Sequence, residues 1–253
     1  MRMSLLLGLM LLGASCVKSS SPAMADLRAL DKDGSKKELV ERLGLVNPSE
    51  RDDEWFGIAQ RGAAAYLGEL KVEDGGGRAA LEEADVLLER YPRLATSPSF
   101  MAARFELGLR AFRATHGDYR HSGGPNPWVA KMVEFIEKDT VTPNGPARLA
   151  REVVMTRLIP VTAFPLLQLA LKRDATAACA DDTFTPVIVE AAVDDVWHDE
   201  NAKLLAGACA SKLPAVKAAF HEKDRTRTVQ IKLCKLLSNE PDMKDTCAAL
   251  APQ

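Results

Sequence analysis

Apolar side chains recur through this sequence at i, i+3, i+4 and i+7, and proline, glycine or asparagine interrupts the pattern every few turns. That spacing constrains the fold more than any other feature, because it gathers apolar groups on one side of an α-helix. Trp55, Ile58, Ala59, Gly62 and Tyr66 make one such stripe, opened by Asn47-Pro48 and stopped by Asp74-Gly75-Gly76-Gly77. Leu81, Ala84, Leu88 and Tyr91 make the next, ended by Pro92. Ser97-Pro98 begins a third with Met101, Phe105, Gly108, Leu109 and Phe112, and Asn126-Pro127 a fourth with Val129, Met132, Val133 and Ile136. Strict apolar/polar alternation, the mark of a half-buried strand, is almost absent. Leu, Ala, Arg and Glu are abundant and Ile and Tyr scarce, which favours helix as well. The predicted fold class is all-α.

The stripes continue to the end of the chain. Ala150, Val153, Val154 and Leu158 are followed by the nearly unbroken apolar run from Phe164 to Leu171. Thr185-Pro186 starts a helix bearing Val189, Val193, Val196 and Trp197; its partner carries Leu205, Ala208, Cys209 and Leu213. Pro214 opens another pair, with Val216, Ala219 and Phe220 set against Val229, Leu233, Leu236 and Leu237. Asn239 caps a last helix with Met243, Cys247 and Leu250. Helix pairs at intervals of about 35–40 residues, with proline early in the helices, resemble HEAT repeats. Earlier in the chain, the segment Ala84 to Pro92 resembles the end of a tetratricopeptide repeat, and Leu107-Gly108 with Gly117-Asp118-Tyr119 resembles the start of the next. The expected architecture is therefore an α-solenoid-like array of antiparallel helix pairs, in which each one-sided stripe is buried by its neighbour. Its N-terminal, tetratricopeptide-like region would span residues 36–139 and its C-terminal, HEAT-like region residues 140–253.

The start of the chain bears on location. Arg2 precedes an apolar run from Ser4 to Leu12, and the small residues Gly13-Ala14-Ser15 lead into Cys16, which is the layout of a secretory signal. The run is too short to span a bilayer, which takes roughly 20 apolar residues. Leu12-Gly13-Ala14-Ser15-Cys16 resembles the lipobox of bacterial lipoproteins, although Gly13 stands at −3 where leucine is usual. The resemblance implies cleavage after Ser15, a diacylglyceryl thioether on Cys16, and acylation (commonly palmitate) of the new amino terminus. Residues 1–15 are then a signal peptide and 16–35 a lipid-anchored flexible tether, polar through Lys18-Ser19-Ser20-Ser21-Pro22. Val17, where the family's inner-membrane retention signal is Asp, points to the outer membrane. Asp31-Lys32-Asp33-Gly34 begins like a calcium loop, but Lys36 and Arg42 occupy its sixth and twelfth positions, so it reads as a turn.

Charge and cysteine content narrow the function. The formal net charge is −2, or −3 once Arg2 leaves with the signal, which is no footprint for nucleic acid. With Cys16 committed to lipid, Cys179, Cys209, Cys234 and Cys247 remain, an even number in an oxidising compartment. We expect two local disulfides, Cys179–Cys209 and Cys234–Cys247, with Cys209–Cys234 as the rival pairing. There is no CxxC and no nearby His pair of zinc-site spacing.

Reactive side chains concentrate only in His116, Asp118, Tyr119 and His121, with Ser122-Gly123-Gly124 after them. The two histidines could share a metal with Asp118, or act as base and orienter near Ser122. Neither arrangement carries an HExxH or GxSxG motif, and a glycine-rich interhelical loop serving as a binding loop explains the same residues. The acidic pairs Asp181-Asp182, Asp194-Asp195 and Asp199-Glu200 sit at helix starts, where they complement the helix dipole without a cation. The reading that follows is a membrane-anchored envelope lipoprotein, a protein-binding scaffold and not an enzyme, without cofactor or metal. Its partner would be another envelope protein, and its only membrane contact the lipid. An anchored hydrolase or metal-dependent enzyme built on the His116–His121 loop, or a structural envelope protein with no discrete site, are the alternatives.

Overall fold

A computed structural model of the chain describes residues 21–115, 127–156 and 158–250. Among them are fourteen α-helices, joined by short 3₁₀ turns, and no β-strand. The chain divides into two compact units, residues 1–59 and 60–253. The break at residues 140–144 lies inside the second.

The first unit holds α1 (Pro22–Asp33) and α2 (Lys36–Arg42), which pack on each other, and the start of α3 (Asp53–Glu69). Much of the stretch assigned to a tether is thus helical. Ser21 caps it, accepting from the Met24 amide, Pro22 occupies the first turn, and Met24 and Leu27 are buried. Two well-spaced apolar residues and a good cap outweigh the polarity of the segment as a whole. The helix stops at Gly34, whose φ of 99° is left-handed and whose amide bonds back to Leu30 O. The turn expected over Asp31–Gly34 is confined to Gly34, since Asp31 to Asp33 form the last turn of α1. Asn47-Pro48 makes only a 3₁₀ turn and does not open α3. Asp52 caps α3 instead, its Oδ1 accepting from the Trp55 amide at 3.1 Å, because it stands next to the stripe and Asn47 does not.

The second unit runs from the rest of α3 through α4 (Gly77–Arg90), α5 (Pro98–Thr115), α6 (Pro127–Glu137), α7 (Gly145–Met155), α8 (Phe164–Arg173) and α9 (Ala175–Ala180). It continues with α10 (Thr185–Ala191), α11 (His198–Ala206), α12 (Leu213–Phe220), α13 (Arg227–Leu237) and α14 (Lys244–Leu250). From α4 onward the main packing partners are close in the chain: α4 with α5, α5 with α6 and α7, α7 with α8, α8 with α9 and α10, α12 with α13, and α13 with α14. The core is built of Phe100, Phe105, Phe112, Phe164, Phe184 and the leucines around them, all fully enclosed. Helices α5 and α6 approach closely at Gly108, where a Cβ would come within 2.7 Å of Met132 Cε and 3.1 Å of Phe135 Cε1.

The α4 stripe is buried as expected at Leu81, Ala84 and Tyr91 but not at Leu88, and the α10 stripe lies one position away from where periodicity put it. Leu87, not Leu88, is the enclosed leucine of α4. In α10 the buried face is Val187, Ile188 and Ala191, while Val189 is only half-buried and Val196 is 73% exposed. The cause is the short length of α10, which ends at Ala191, so Val193, Val196 and Trp197 do not continue its phase. Trp197 is half-buried and stacks on Phe164 with ring centroids 5.0 Å apart.

Cys179 pairs with Cys209 and Cys234 with Cys247, at Cα separations of 5.0 and 5.3 Å. Both fall in the range a disulfide demands. These are the two pairs expected from the sequence, although the elements differ. Cys179 lies on the short helix α9, and Cys209 follows α11 in a turn.

Candidate functional site

The residues singled out for chemistry, His116, Asp118, Tyr119 and His121, lie outside the described residues, as does Cys16. Among the described residues, no group of three or more His, Cys, Asp or Glu side chains is placed to hold a metal ion. One member of each acidic pair is held by a distant residue, Asp182 by Lys212, Asp195 by Lys232 and Glu200 by Gln168, and the rest act locally. Asp181 Oδ1 accepts from the Thr183 amide, Asp194 Oδ1 from the amides of Val196 and Trp197, and Asp199 and Glu200 sit in the first turn of α11.

The densest polar construction surrounds the C-terminal end of α6. A helix end leaves carbonyls without intrahelical donors, and these attract cations. Two arginines from other helices supply the donors here. Arg104 of α5 is fully buried; its Nη1 donates to Phe135 O at 2.7 Å and its Nη2 to Asp85 Oδ1 of α4 at 2.9 Å. Its guanidinium carbon stands 3.5 Å from the centroid of the Phe135 ring, a desolvated cation–π contact. Arg173, at the end of α8, donates through Nη2 to Ile136 O at 2.8 Å and to Asp139 O at 2.6 Å.

Asp85 accepts from both sides, since Lys138 Nζ donates to its Oδ2 at 2.8 Å. Burial by itself pushes the Asp85 carboxyl up, but the hydrogen bonds from Lys138 and Arg104 outweigh it and hold the group below its ordinary range. Burial also lowers the Arg104 guanidinium, and Asp85 opposes that shift. The ion pair joins α4, α5 and α6 at one point.

Beyond α6 the chain turns on Asp139, which is 1% exposed. Its Oδ1 accepts from the amides of Val141 and Thr142 at 3.0 and 2.8 Å, closing an Asx turn. Asp139 Oδ2 and Thr142 Oγ1 are enclosed without a hydrogen-bond partner. The loop ends at Asn144, a left-handed residue (φ 51°) that makes no side-chain cap to α7. Residues 140–144 then form one wall of a cavity of about 220 Å³, faced by Arg173, Asp174 and Asp181, with Ala147, Ala170 and Phe184 among its lining. A second hollow, about 540 Å³ and mainly apolar, lies between α13 and α14 over the Cys234–Cys247 bridge, edged by Lys235 and Lys244.

No family model matches this chain, and neither does any curated protein or solved structure.

None of Asp85, Arg104, Asp139 or Arg173 was singled out from the sequence. One signal was present: Arg104 falls at i+3 from Met101 and i−4 from Gly108, a charge in the middle of an apolar stripe. Asp139 followed by Thr-Val-Thr-Pro-Asn is likewise a turn signature with a mechanism.

Proposed function

We propose that the chain is a bacterial envelope lipoprotein, anchored to the outer membrane through Cys16, whose helical part binds another protein as a scaffold. The observation that carries the reading is the order of packing. From α4 to α14 the main partners of each helix lie close to it in the chain, which supports an array of stacked helix pairs of HEAT or tetratricopeptide type. Such arrays present long continuous surfaces suited to a protein partner. The run MRMSLLLGLMLLGASC supports the anchor, and two or more acyl chains hold a protein stably at a membrane where one does not. Two disulfides suit an exported chain.

The test is crosslinking in intact cells followed by affinity capture of the membrane-anchored protein. A single envelope protein recovered in stoichiometric amount, and lost when charged residues are placed on the array's exposed face, is the expected result. Recovery of no stoichiometric protein under efficient crosslinking would overturn the scaffold reading.

A further inference from the structure

We propose that the Cys234–Cys247 bridge is a thiol–disulfide exchange site, opened by the cysteine pair of a protein oxidoreductase that reaches it through the hollow between α13 and α14. The two disulfides sit differently. Cys209 is fully enclosed and Cys179 nearly so, and neither lines either hollow. Cys234 and Cys247 both line the hollow of about 540 Å³, together with Ile231, Ala248 and Leu250. That volume falls in the roughly 300–1,000 Å³ range of ligand pockets. A disulfide exchanges only where a thiolate can reach one of its sulfurs, so access separates the two bridges.

The lining also indicates what enters. Its apolar side chains offer more surface than a small polar thiol can use, and they fit the residues that flank a cysteine in a protein chain. Lys235 and Lys244 at its edge add a positive potential that steers an approaching thiolate.

The step is a two-electron exchange. A partner thiolate bonds to one bridge sulfur, the S–S bond breaks, and the other sulfur leaves as a thiolate. The partner's second thiolate then attacks the mixed disulfide and leaves the partner oxidised. Each released cysteine takes up a proton. Opening this bridge has a different consequence from opening the other. Among the described residues no hydrogen bond or ion pair joins α13 to α14, and Cys247 is the buried residue of α14. Beside Cys179–Cys209, by contrast, Lys212 Nζ donates to Asp182 Oδ1 at 2.7 Å and ties the same two segments. Opening Cys234–Cys247 therefore releases α14 and uncovers the side of α13 that carries Cys234.

The test incubates the full-length protein in detergent with reduced thioredoxin or with dithiothreitol, quenches by alkylation and maps the peptides. Cys234 and Cys247 should be alkylated at least about tenfold sooner than Cys179 and Cys209, and thioredoxin should outpace dithiothreitol at equal thiolate concentration. The rate should stay flat in urea below the unfolding transition, because the folded bridge is attacked directly, whereas attack after local opening rises with urea. Ala248→Trp, at an exposed lining position, should slow the opening by roughly tenfold at an unchanged melting temperature. Once the bridge is open, amide exchange over residues 244–250 should quicken. Equal rates for the two bridges, a rate that climbs with urea, dithiothreitol matching thioredoxin, an unslowed folded Ala248→Trp variant, or persistent protection of 244–250 after reduction would each overturn the proposal.

Discussion

Asp85 and Arg104 form an ion pair in which one partner is wholly enclosed, with Arg104 at 0% and Asp85 at 18% side-chain exposure. Removing one member of such a pair leaves a buried charge uncompensated, which is far costlier than losing a surface pair. Asp85→Asn should therefore destabilise the protein by about 3 kcal/mol at neutral pH, measured by urea unfolding. The pH dependence follows from the lowered carboxyl. A group whose folded pKa is depressed contributes stability above its unfolded value, about 3.9 for Asp, and loses it as pH falls through the folded value. The wild type should lose that stability below about pH 4, and Asp85→Asn should show a shallower acid limb. An acid limb of equal steepness in the two proteins would mean that Asp85 does not carry the effect. Gly34 is a smaller case of the same scale. Its φ of 99° is strained for any other residue, while nothing lies near enough to obstruct a Cβ. Gly34→Ala should cost about 1 kcal/mol from backbone conformation alone, with no repacking to soften or worsen it.

Among the elements, α14 depends most on a covalent bond. It packs chiefly on α13, and Cys247 is its buried residue, joined to Cys234 of α13 across a sequence separation of 13. Chain entropy assigns a closed loop of that size about 3 kcal/mol. The paired replacement Cys234→Ser with Cys247→Ser should free α14, read as fast amide exchange over residues 244–250 with protection of α4 to α12 retained. The Cys179–Cys209 bridge closes a loop with a separation of 30 between α9 and the turn after α11, inside the second unit. Its paired replacement should lower stability of the second unit as a whole and leave no single helix selectively exposed. Non-reducing peptide mapping checks the pairing itself, and a Cys209–Cys234 peptide would refute it.

At the scale of the whole molecule, the anchor makes the clearest prediction. Cys16→Ser should abolish fatty-acid labelling and release the protein from the membrane fraction, with the far-UV helical spectrum of residues 17–253 unchanged. No acyl label on the wild type, together with unchanged fractionation of the variant, would refute lipid anchoring. None of the helices among the described residues is long and apolar enough to cross a bilayer.

Some of this was legible in the residues alone. Helix class came from one-sided apolar spacing, because that spacing has only one local solution that buries the stripe. The starts of α5, α6, α10 and α12 were legible as well, since proline near a helix start fixes φ where a missing amide costs nothing. The disulfide pairs were legible because adjacent elements bring cysteines of small separation together. Phase within the shortest helices was not: α10, of seven residues, buries Val187 and Ile188 because a helix of two turns rotates to suit its neighbours at little cost. Nor was α1, whose two buried residues count only once another surface covers them. The polar construction at the end of α6 was least visible. Arg104, Asp85, Lys138, Asp139 and Arg173 come from three helices and the loop after α6, and spacing along the chain carries no information about which of them meet. The sequence by itself determined that the chain is helical and where many helices begin. Only the tertiary structure decided which charges are buried together and where a cavity remains, because both depend on what other elements remove from water.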